Sequence, residues 1–506
     1  MSQHEFIVVI PVADRPRHIE ACLTSLRTSL QHFPYAGRIR VLIADDSTDA
    51  ASIAANRAIA RRFTTAGLEL IHFPPEEQVA LVQSLDSALP HVLGDAPREF
   101  YGHKGQGAMR NIAYLKVAAL LAGTPAATLI WSIDSDQEFR VNVPENDGYV
   151  VDFFNGIDAI FTRTDAQLLT GKVVGDPPVS PAVMTRNFLD DVLAFFAQMA
   201  EHDPAAACGH HAAPPASGDA AYHDMAYLFG FKPADSYAYP CPLHGAHTAA
   251  DCFANFAARV NSFFYGEHPT RVSVYVPGEL FASVQPARTV YAGNYVFRPA
   301  ALKYFVPFAA LRLRMSGPTL GRIVKSELGT RFVSANLPML HKRTVESGGQ
   351  SEFRPGIETQ EQVIDMSGEF ERQFYGDVML FSVEKLTAAC RLASAEFLHE
   401  SLDAVRAEML EKYNVRQRAI LARLATLEAL LNDASHWWNR SAAHAGAISK
   451  FRCFAANVRS NFADDSPGHV SINAADGWEQ WRTKLLAALL RYPADRAAWE
   501  RVLCES

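Results

Sequence analysis

Two carboxylates one residue apart, Asp134 and Asp136, follow directly on the apolar run ending Trp131-Ser132-Ile133. On a still-extended chain, residues i and i+2 face the same side. Two like charges so placed repel unless a cation lies between them or separate partners hold each one. Hard oxygen ligands suit Mg²⁺ or Mn²⁺, ions that commonly bridge to substrate phosphates. A solvated loop or a helix cap is the bland alternative for a lone D-x-D.

Other residues carry compatible chemistry. Asp45-Asp46-Ser47 closes another apolar run, where a carboxylate can accept from a base N–H or from ribose hydroxyls. It can equally cap the helix that follows. The stretch from Gly102 to Asn111 brings Lys104, Gly105, Gly107 and Arg110 to a helix start. Backbone N–H groups, close approach at glycine and two cations together suit a diphosphate. A dinucleotide fingerprint is excluded there, since no strand precedes it and Arg110 stands at the third glycine position. His341 lies in Asn336–Arg343, where an imidazole would complete the coordination begun by Asp136; a hydrogen-bonded structural histidine fits the residue type as well. Cys241, His244, His247 and Cys252 have zinc-like spacing, with Cys208, His210 and His211 upstream. The paired C-x-x-C is missing, so ordinary loop residues are the favoured reading and structural Zn²⁺ the lesser one.

The elements that must position these groups alternate. Strands are expected at Phe6–Val12, Ile39–Ala44, Leu68–Phe73 and Ala127–Ile133, with helices over Arg17–Leu30, Ala50–Thr65 and Met109–Leu121. That alternation predicts an α/β fold with a mostly parallel, Rossmann-like sheet, whose carboxyl ends gather Ala13–Arg15, Asp45–Ser47 and Asp134–Asp136. Gly171–Pro181 reads as irregular and Gly/Pro-rich, Phe188–Met199 as a helix, and Arg271–Val276 and Thr289–Phe297 as strands. The expected division is 1–165 and 166–343 as two halves of one α/β domain, 344–359 as a linker, and 360–506 as a separate helical domain. Within the last, Leu402–Leu431 is heptad-like, so the helices would cover the site, pair two copies of the chain, or hold an acceptor.

The bulk properties set limits. The chain has 506 residues, 49% hydrophobic and 20% charged, enough apolar material for a sizeable core. A formal net charge of -8 argues against nucleic acid as partner. The short β-branched run before Pro11 is a first strand and not a signal peptide. No run approaches the ~20 apolar residues of a membrane span. With seven scattered cysteines, these features lead to the expectation of a cytoplasmic protein.

Taken in order, Val9–Arg15, Ala21–Leu26, Asp45–Ser47, Arg110–Ala113 and Asp134–Asp136 resemble the GT-A glycosyltransferases, particularly glycosyltransferase family 2. The resemblance covers about the first 165 residues. It implies a nucleoside-diphosphate sugar as donor. Pro11, Ala13 and Arg15 would line the nucleotide pocket, and Asp46 would hold the base. Arg110 would approach the donor, Asp134 would face ribose or metal, and Asp136 would ligate the metal. Tyr291–Arg298 looks like the acceptor-side strand, and His341 sits where mannosylglycerate-synthase-like retaining members place a late metal-ligating histidine. Inverting members carry an acidic base that Arg314–Arg322 lacks, which tilts the reading toward retention. Asp176 and Glu327 are the alternative bases. Two further readings stand beside transfer of a sugar: a sugar-phosphate nucleotidyltransferase, and a non-catalytic scaffold that binds nucleotide sugars.

Overall fold

The computed structural model describes residues 3–85, 89, 91–93, 103–121, 127–143, 146–209, 239–290, 293–305, 308–346, 352, 354–388 and 395–505. Gly102, His210, His211, Tyr291, Ala292 and parts of the expected linker fall outside them.

The N-terminal alternation is realised as β1 (Glu5–Val12), α1 (Pro16–His32), β2 (Ile39–Asp45), α2 (Ala50–Thr65), β3 (Glu69–Phe73), α3 (Pro75–Ser84), α4 (Gln106–Leu121) and β4 (Thr128–Ile133). There follow β5 (Gln137–Glu138), the hairpin β6 (Val141–Val143) and β7 (Asn146–Tyr149), α5 (Phe153–Arg163), β8 (Leu168–Gly175) and α6 (Pro181–Ala200). After them come α7 (Ala249–Arg259), β9 (Gln285–Pro286), β10 (Asn294–Phe297), α8 (Ser316–Leu328) and β11 (Phe332–His341). The chain ends in α9 (Ser367–Ala388), α10 (Ala395–Asn432), α11 (Ala445–Phe462) and α12 (Ala475–Glu505).

One sheet runs in the order β3-β2-β1-β4-β10-β8-β11-β5, with β9 paired on β11. Strands β3, β2, β1 and β4 are parallel. Strand β10 enters antiparallel between β4 and β8, and β8 pairs parallel with β11. Side chains alternate across a strand. Accordingly Phe6, Val8, Ile10 and Val12 enter the core under α1, α2 and α5, while Ile7 and Val9 enter the opposite one under α4 and α6.

Three sequence expectations change. Gly171–Pro181 is not irregular at its start, because β8 runs through it as a fully buried strand. A side chain at Gly171 would collide with the Asn294 amide and the Leu337 carbonyl, so glycine marks a close approach of three strands. Arg271–Val276 forms no strand beyond a single bridge from Ser273 to Gly175. The third change concerns the helices from Ser367 onward, which are not a separate domain. Their apolar faces belong to the same continuous core as Ile7 and Val9. Trp437 Nε1 donates to the Met199 carbonyl at 2.8 Å, Trp499 Nε1 to the Leu302 carbonyl at 2.9 Å, and Arg423 pairs with Asp190 at 2.5 Å. The heptad-like stripe of α10 (Leu402, Val405, Met409, Ile420, Leu424, Leu427, Leu431) is buried within the chain.

Helix α9 is fastened to α10 by a buried carboxyl. Tyr413 Oη donates to Asp377 Oδ2 at 2.6 Å, and Gln373 Nε2 donates to Oδ1 at 2.8 Å. Burial outweighs these contacts and raises the Asp377 pKa from 3.8 to about 7. The folded state therefore holds a proton that the unfolded chain releases near pH 4. The resulting stability is complete below that pH and is lost as pH rises through about 7. At about 1.4 kcal/mol per unit, the swing is up to about 4 kcal/mol. Denaturant unfolding should show Asp377→Asn gaining on the wild type between pH 5 and 7.5. A constant difference over that range would refute a neutral buried carboxyl.

Candidate functional site

Strands β1 and β2 end level, with Val12 opposite Asp45, and β4 ends two residues short of them, with Val9 opposite Ser132. The three turns beyond them therefore meet. Asp14, in the left-handed region at φ 50, accepts from the Thr48 and Asp49 amides and from Thr48 Oγ1. This locks the first turn onto the second. Asp45 points inward, accepting from the Ser47 amide, Asn56 Nδ2 and His72 Nε2. It is fully buried and braces the turn, so the expected nucleotide contact is corrected to a scaffolding one.

Asp46 remains at the cavity wall, but Lys104 is spent on it. Lys104 Nζ lies 2.9 Å from Asp46 Oδ1, and the Lys104 amide donates to both carboxylate oxygens. Burial raises the Asp46 pKa, and Lys104 offsets that only in part. The expected Lys104 contact to a diphosphate is thus replaced by a tie between the second turn and the start of α4. Arg110 is likewise turned inward. Its Nη2 lies 2.5 Å from Asp134 Oδ1, which Gln106 Nε2 also reaches at 3.1 Å. Arg110 therefore orients Asp134 from behind, instead of facing the cavity as expected.

The chain reverses after Asp134: the Gln137 amide donates to the Asp134 carbonyl, and β5 pairs antiparallel with β11. That reversal sets Asp136 beside His341, and the Lys342 amide donates to the Asp136 carbonyl at 2.9 Å. Asp136 Oδ2 receives Arg15 Nη1 and Arg343 Nη1, each at 3.2 Å, with His341 Nε2 at 3.7 Å. Burial alone would raise its pKa, but His341, Arg343 and Arg15 outweigh it and hold the carboxyl well below the usual range. The two acidic residues of the D-x-D are thus partnered separately. Gly293, just before β10, permits the Asp134 position, since a Cβ there would lie 2.9 Å from Asp134 Oδ2.

Asp176 does not face the cavity. Its carboxylate accepts the His268 amide at 3.0 Å and the Arg343 amide at 2.9 Å, and its carbonyl accepts His341 Nδ1 at 2.6 Å. It orients His341 and Arg343, and is not placed to act as a base. Glu327, near the C-terminal end of α8 whose opening residues line the cavity, is paired with Arg496 of α12 and is not a base for this site either.

Two adjoining lobes open beside this framework. The larger, about 400 Å³, is walled by Pro11, Ala13, Arg15, Asp46, Gly105 and Asp136 among others. The smaller, about 220 Å³, includes Gln137, Val179, Met315 and His341. Asp134, Arg312, Arg314, Arg343 and Arg372 border both. Around the larger lobe the described residues supply six arginines, counting Arg15 and Arg354, against the carboxylates of Asp46, Asp134, Asp136 and Glu369.

Sequence reasoning missed most of these arginines, together with Glu369. Arg354 lies in the stretch expected as a linker, and Glu369 and Arg372 in the helices expected as a separate domain. Arg314 Nη1 meets Glu369 Oε1 at 2.6 Å, while Arg372 donates to the Arg312 and Pro355 carbonyls at 2.8 and 3.1 Å. The shared wall is also strained. Phe308, Arg312 and Met315 all occupy the left-handed region, at about 1–2 kcal/mol each for a residue with a side chain. The alternating Arg312-Leu313-Arg314 was the one visible sign of that wall.

No family model matches the chain, and no curated protein matches it. Among solved structures, the apo crystal structure of mouse xyloside xylosyltransferase 1 is similar over 66% of this chain and 79% of that one. The identity is 10% and the TM-score 0.22, a likeness that assigns no activity. Among the described residues, no helix is long and apolar enough to cross a membrane.

The cationic excess has a measurable consequence. Burial, with repulsion from Arg343 and Arg15, pushes the Arg354 pKa well below its ordinary value. Arg354→Gln should therefore raise the melting temperature of the ligand-free protein by about 2 °C. The same change should weaken pyrophosphate binding about tenfold, by loss of a charge-assisted contact. A lower melting temperature with unchanged pyrophosphate affinity in calorimetry would make Arg354 a purely structural contact.

Proposed function

We propose that this chain is a glycosyltransferase that takes its sugar from a nucleoside-diphosphate donor and passes it between the two lobes. The observation carrying the reading is the shared wall, where Asp134 and four arginines border both compartments. A leaving diphosphate develops negative charge, and fixed cations in a water-poor cavity stabilise such charge without reorganising. The donor's nucleoside would lie along Pro11, Ala13 and Asp46, its diphosphate against Arg15, Arg343 and Arg354, and the acceptor in the smaller lobe.

A divalent Mg²⁺ or Mn²⁺ fits the residues present. Asp136 offers a hard oxygen, and His341 Nδ1 lies 2.6 Å from the Asp176 carbonyl, which turns Nε2 toward Asp136. Such an outer hydrogen bond is how ligating histidines are commonly oriented. Asp136 and His341 would hold the ion, which would supply further neutralisation of the diphosphate. Arg15 and Arg343 do part of that work from the protein side. Among the described residues lining the smaller lobe, the single carboxylate is Asp134, already engaged by Arg110 and Gln106. A free general base is what inversion needs, so this supports transfer with retention.

A thermal-shift screen of nucleotide sugars, with and without Mn²⁺, tests the donor. A true donor raises the melting temperature by mass action. In a turnover assay with that donor, Asp134→Asn should reduce sugar release about 100-fold or more, and the melting temperature should also fall because the buried Arg110 loses its counter-charge. Pyrophosphate release from a nucleoside triphosphate and a sugar phosphate would instead establish a nucleotidyltransferase. Binding with neither hydrolysis nor transfer across an acceptor panel would leave a scaffold.

A further inference from the structure

Away from the cavity, the backbone laces residues 204–208 to the start of α7. The Cys208 amide donates to the His247 carbonyl at 3.1 Å, the Ala249 amide to Ala206 at 2.9 Å, and the Ala250 amide to Pro204 at 3.0 Å. A capping box of Thr248 and Asp251 fixes where the helix begins. Cys252 thereby falls in the opening turns of α7, on its buried side. Cys241 comes alongside in the preceding segment, and its neighbour Tyr239 is anchored by a bond from its hydroxyl to Asn255 of α7.

The sulfur atoms of Cys208 and Cys241 and a ring nitrogen of His247 all lie within 4.8 Å of one another. Cys241 Sγ is 3.3 Å from His247 Nε2. Tetrahedral zinc, with bonds of about 2.3 Å to sulfur and about 2.0 Å to nitrogen, requires a sulfur–nitrogen edge of about 3.5 Å. The thiol of Cys252 neighbours those of Cys241 and Cys208, just outside the group whose ligand atoms lie within 4.8 Å of one another. The imidazole is oriented as a ligand should be: Nδ1–H donates to the Gly245 carbonyl at 3.0 Å, so Nε2 is the atom aimed at the sulfurs. None of the six described cysteines is in a disulfide.

We infer that Cys208, Cys241, His247 and Cys252 form a structural zinc site that pins α7 to the segment following α6. His244, expected from its spacing to be a ligand, is exposed and outside the group of Cys208, Cys241 and His247, and the buried Cys252 beside the two thiols completes the four. Three thiols and one neutral imidazole bind Zn²⁺ with release of three protons, and no oxidant or reductant is involved. Four protein ligands close the coordination sphere, which makes the site structural and not catalytic. None of the four residues borders either lobe of the cavity. The site is therefore independent of the proposed sugar transfer.

The full-length protein, expressed with added zinc and desalted, should carry about one zinc per chain by elemental analysis. The Co²⁺-substituted protein should show thiolate-to-cobalt charge transfer and tetrahedral d–d bands. Cys208→Ser should lose the metal, His244→Ala should keep it, and His247→Cys should keep it with stronger charge transfer. If Cys208→Ser proves insoluble, the wild-type zinc content and the His247→Cys spectrum still decide. Wild-type protein that stays zinc-free after supplementation, or His244→Ala as depleted as Cys208→Ser, would overturn the site.

Discussion

Positive charge gathered out of water is the constraint around which this molecule is arranged. Six guanidinium groups border one cavity, and the nearby carboxylates are too few to neutralise them. Coulomb repulsion in a partly desolvated space is far stronger than at a surface. The acidic residues consequently act as clamps. Asp136 holds Arg15 and Arg343, and Glu369 holds Arg314 and Arg372. Three left-handed residues between 308 and 315 keep the shared wall in a shape that ordinary backbone preferences oppose. Strain of this kind persists only where the surroundings over-determine it. Buried positive charge supplies a reason for it, since the proposed diphosphate would relieve the arrangement on entering.

The parts of this design that were legible in the sequence are the local ones. Short apolar runs located β1, β2, β3 and β4, and the rule that ligands sit beyond strand carboxyl ends placed Asp46, Asp134 and Asp136 together. The same rule could not tell Asp46 from Asp45. Which of two adjacent carboxylates faces inward depends on Asn56 and His72, residues contributed by the following helix and strand. Lys104 and Arg110 were assigned by charge to a ligand, yet each is buried against a carboxylate of the site's own framework. Charge gives the type of partner and not its identity.

Strands β8 and β11 were hidden for a different reason. Gly171 and Pro338 carry breaker chemistry, and both sit inside central strands. Gly171 is where three strands crowd, and Pro338 lies at the end of a register shift between β11 and β8, where a missing N–H is tolerated. Arg312, Arg343, Arg354 and Arg372 come from four segments with no common spacing, so no local pattern could unite them. Only packing of α9 against the wall does so. Gly376 records how tight that packing is, because a Cβ there would lie 2.5 Å from the Arg314 carbonyl oxygen.

Helix α9 spans both regimes. Within three turns it carries Glu369 and Arg372 at the cavity and Asp377 at the seam with α10. A rigid rod of about 1.5 Å rise per residue cannot shift at one end alone. Thermodynamic reciprocity then applies: whatever factor an anion contributes to seating this helix, the seated helix returns to the anion's affinity. The C-terminal third of the chain is thus packed continuously onto a pocket most of its residues never touch. Under the proposed transfer, substitutions along α10 or α12, selected for packing alone, would be read out as altered grip on the donor.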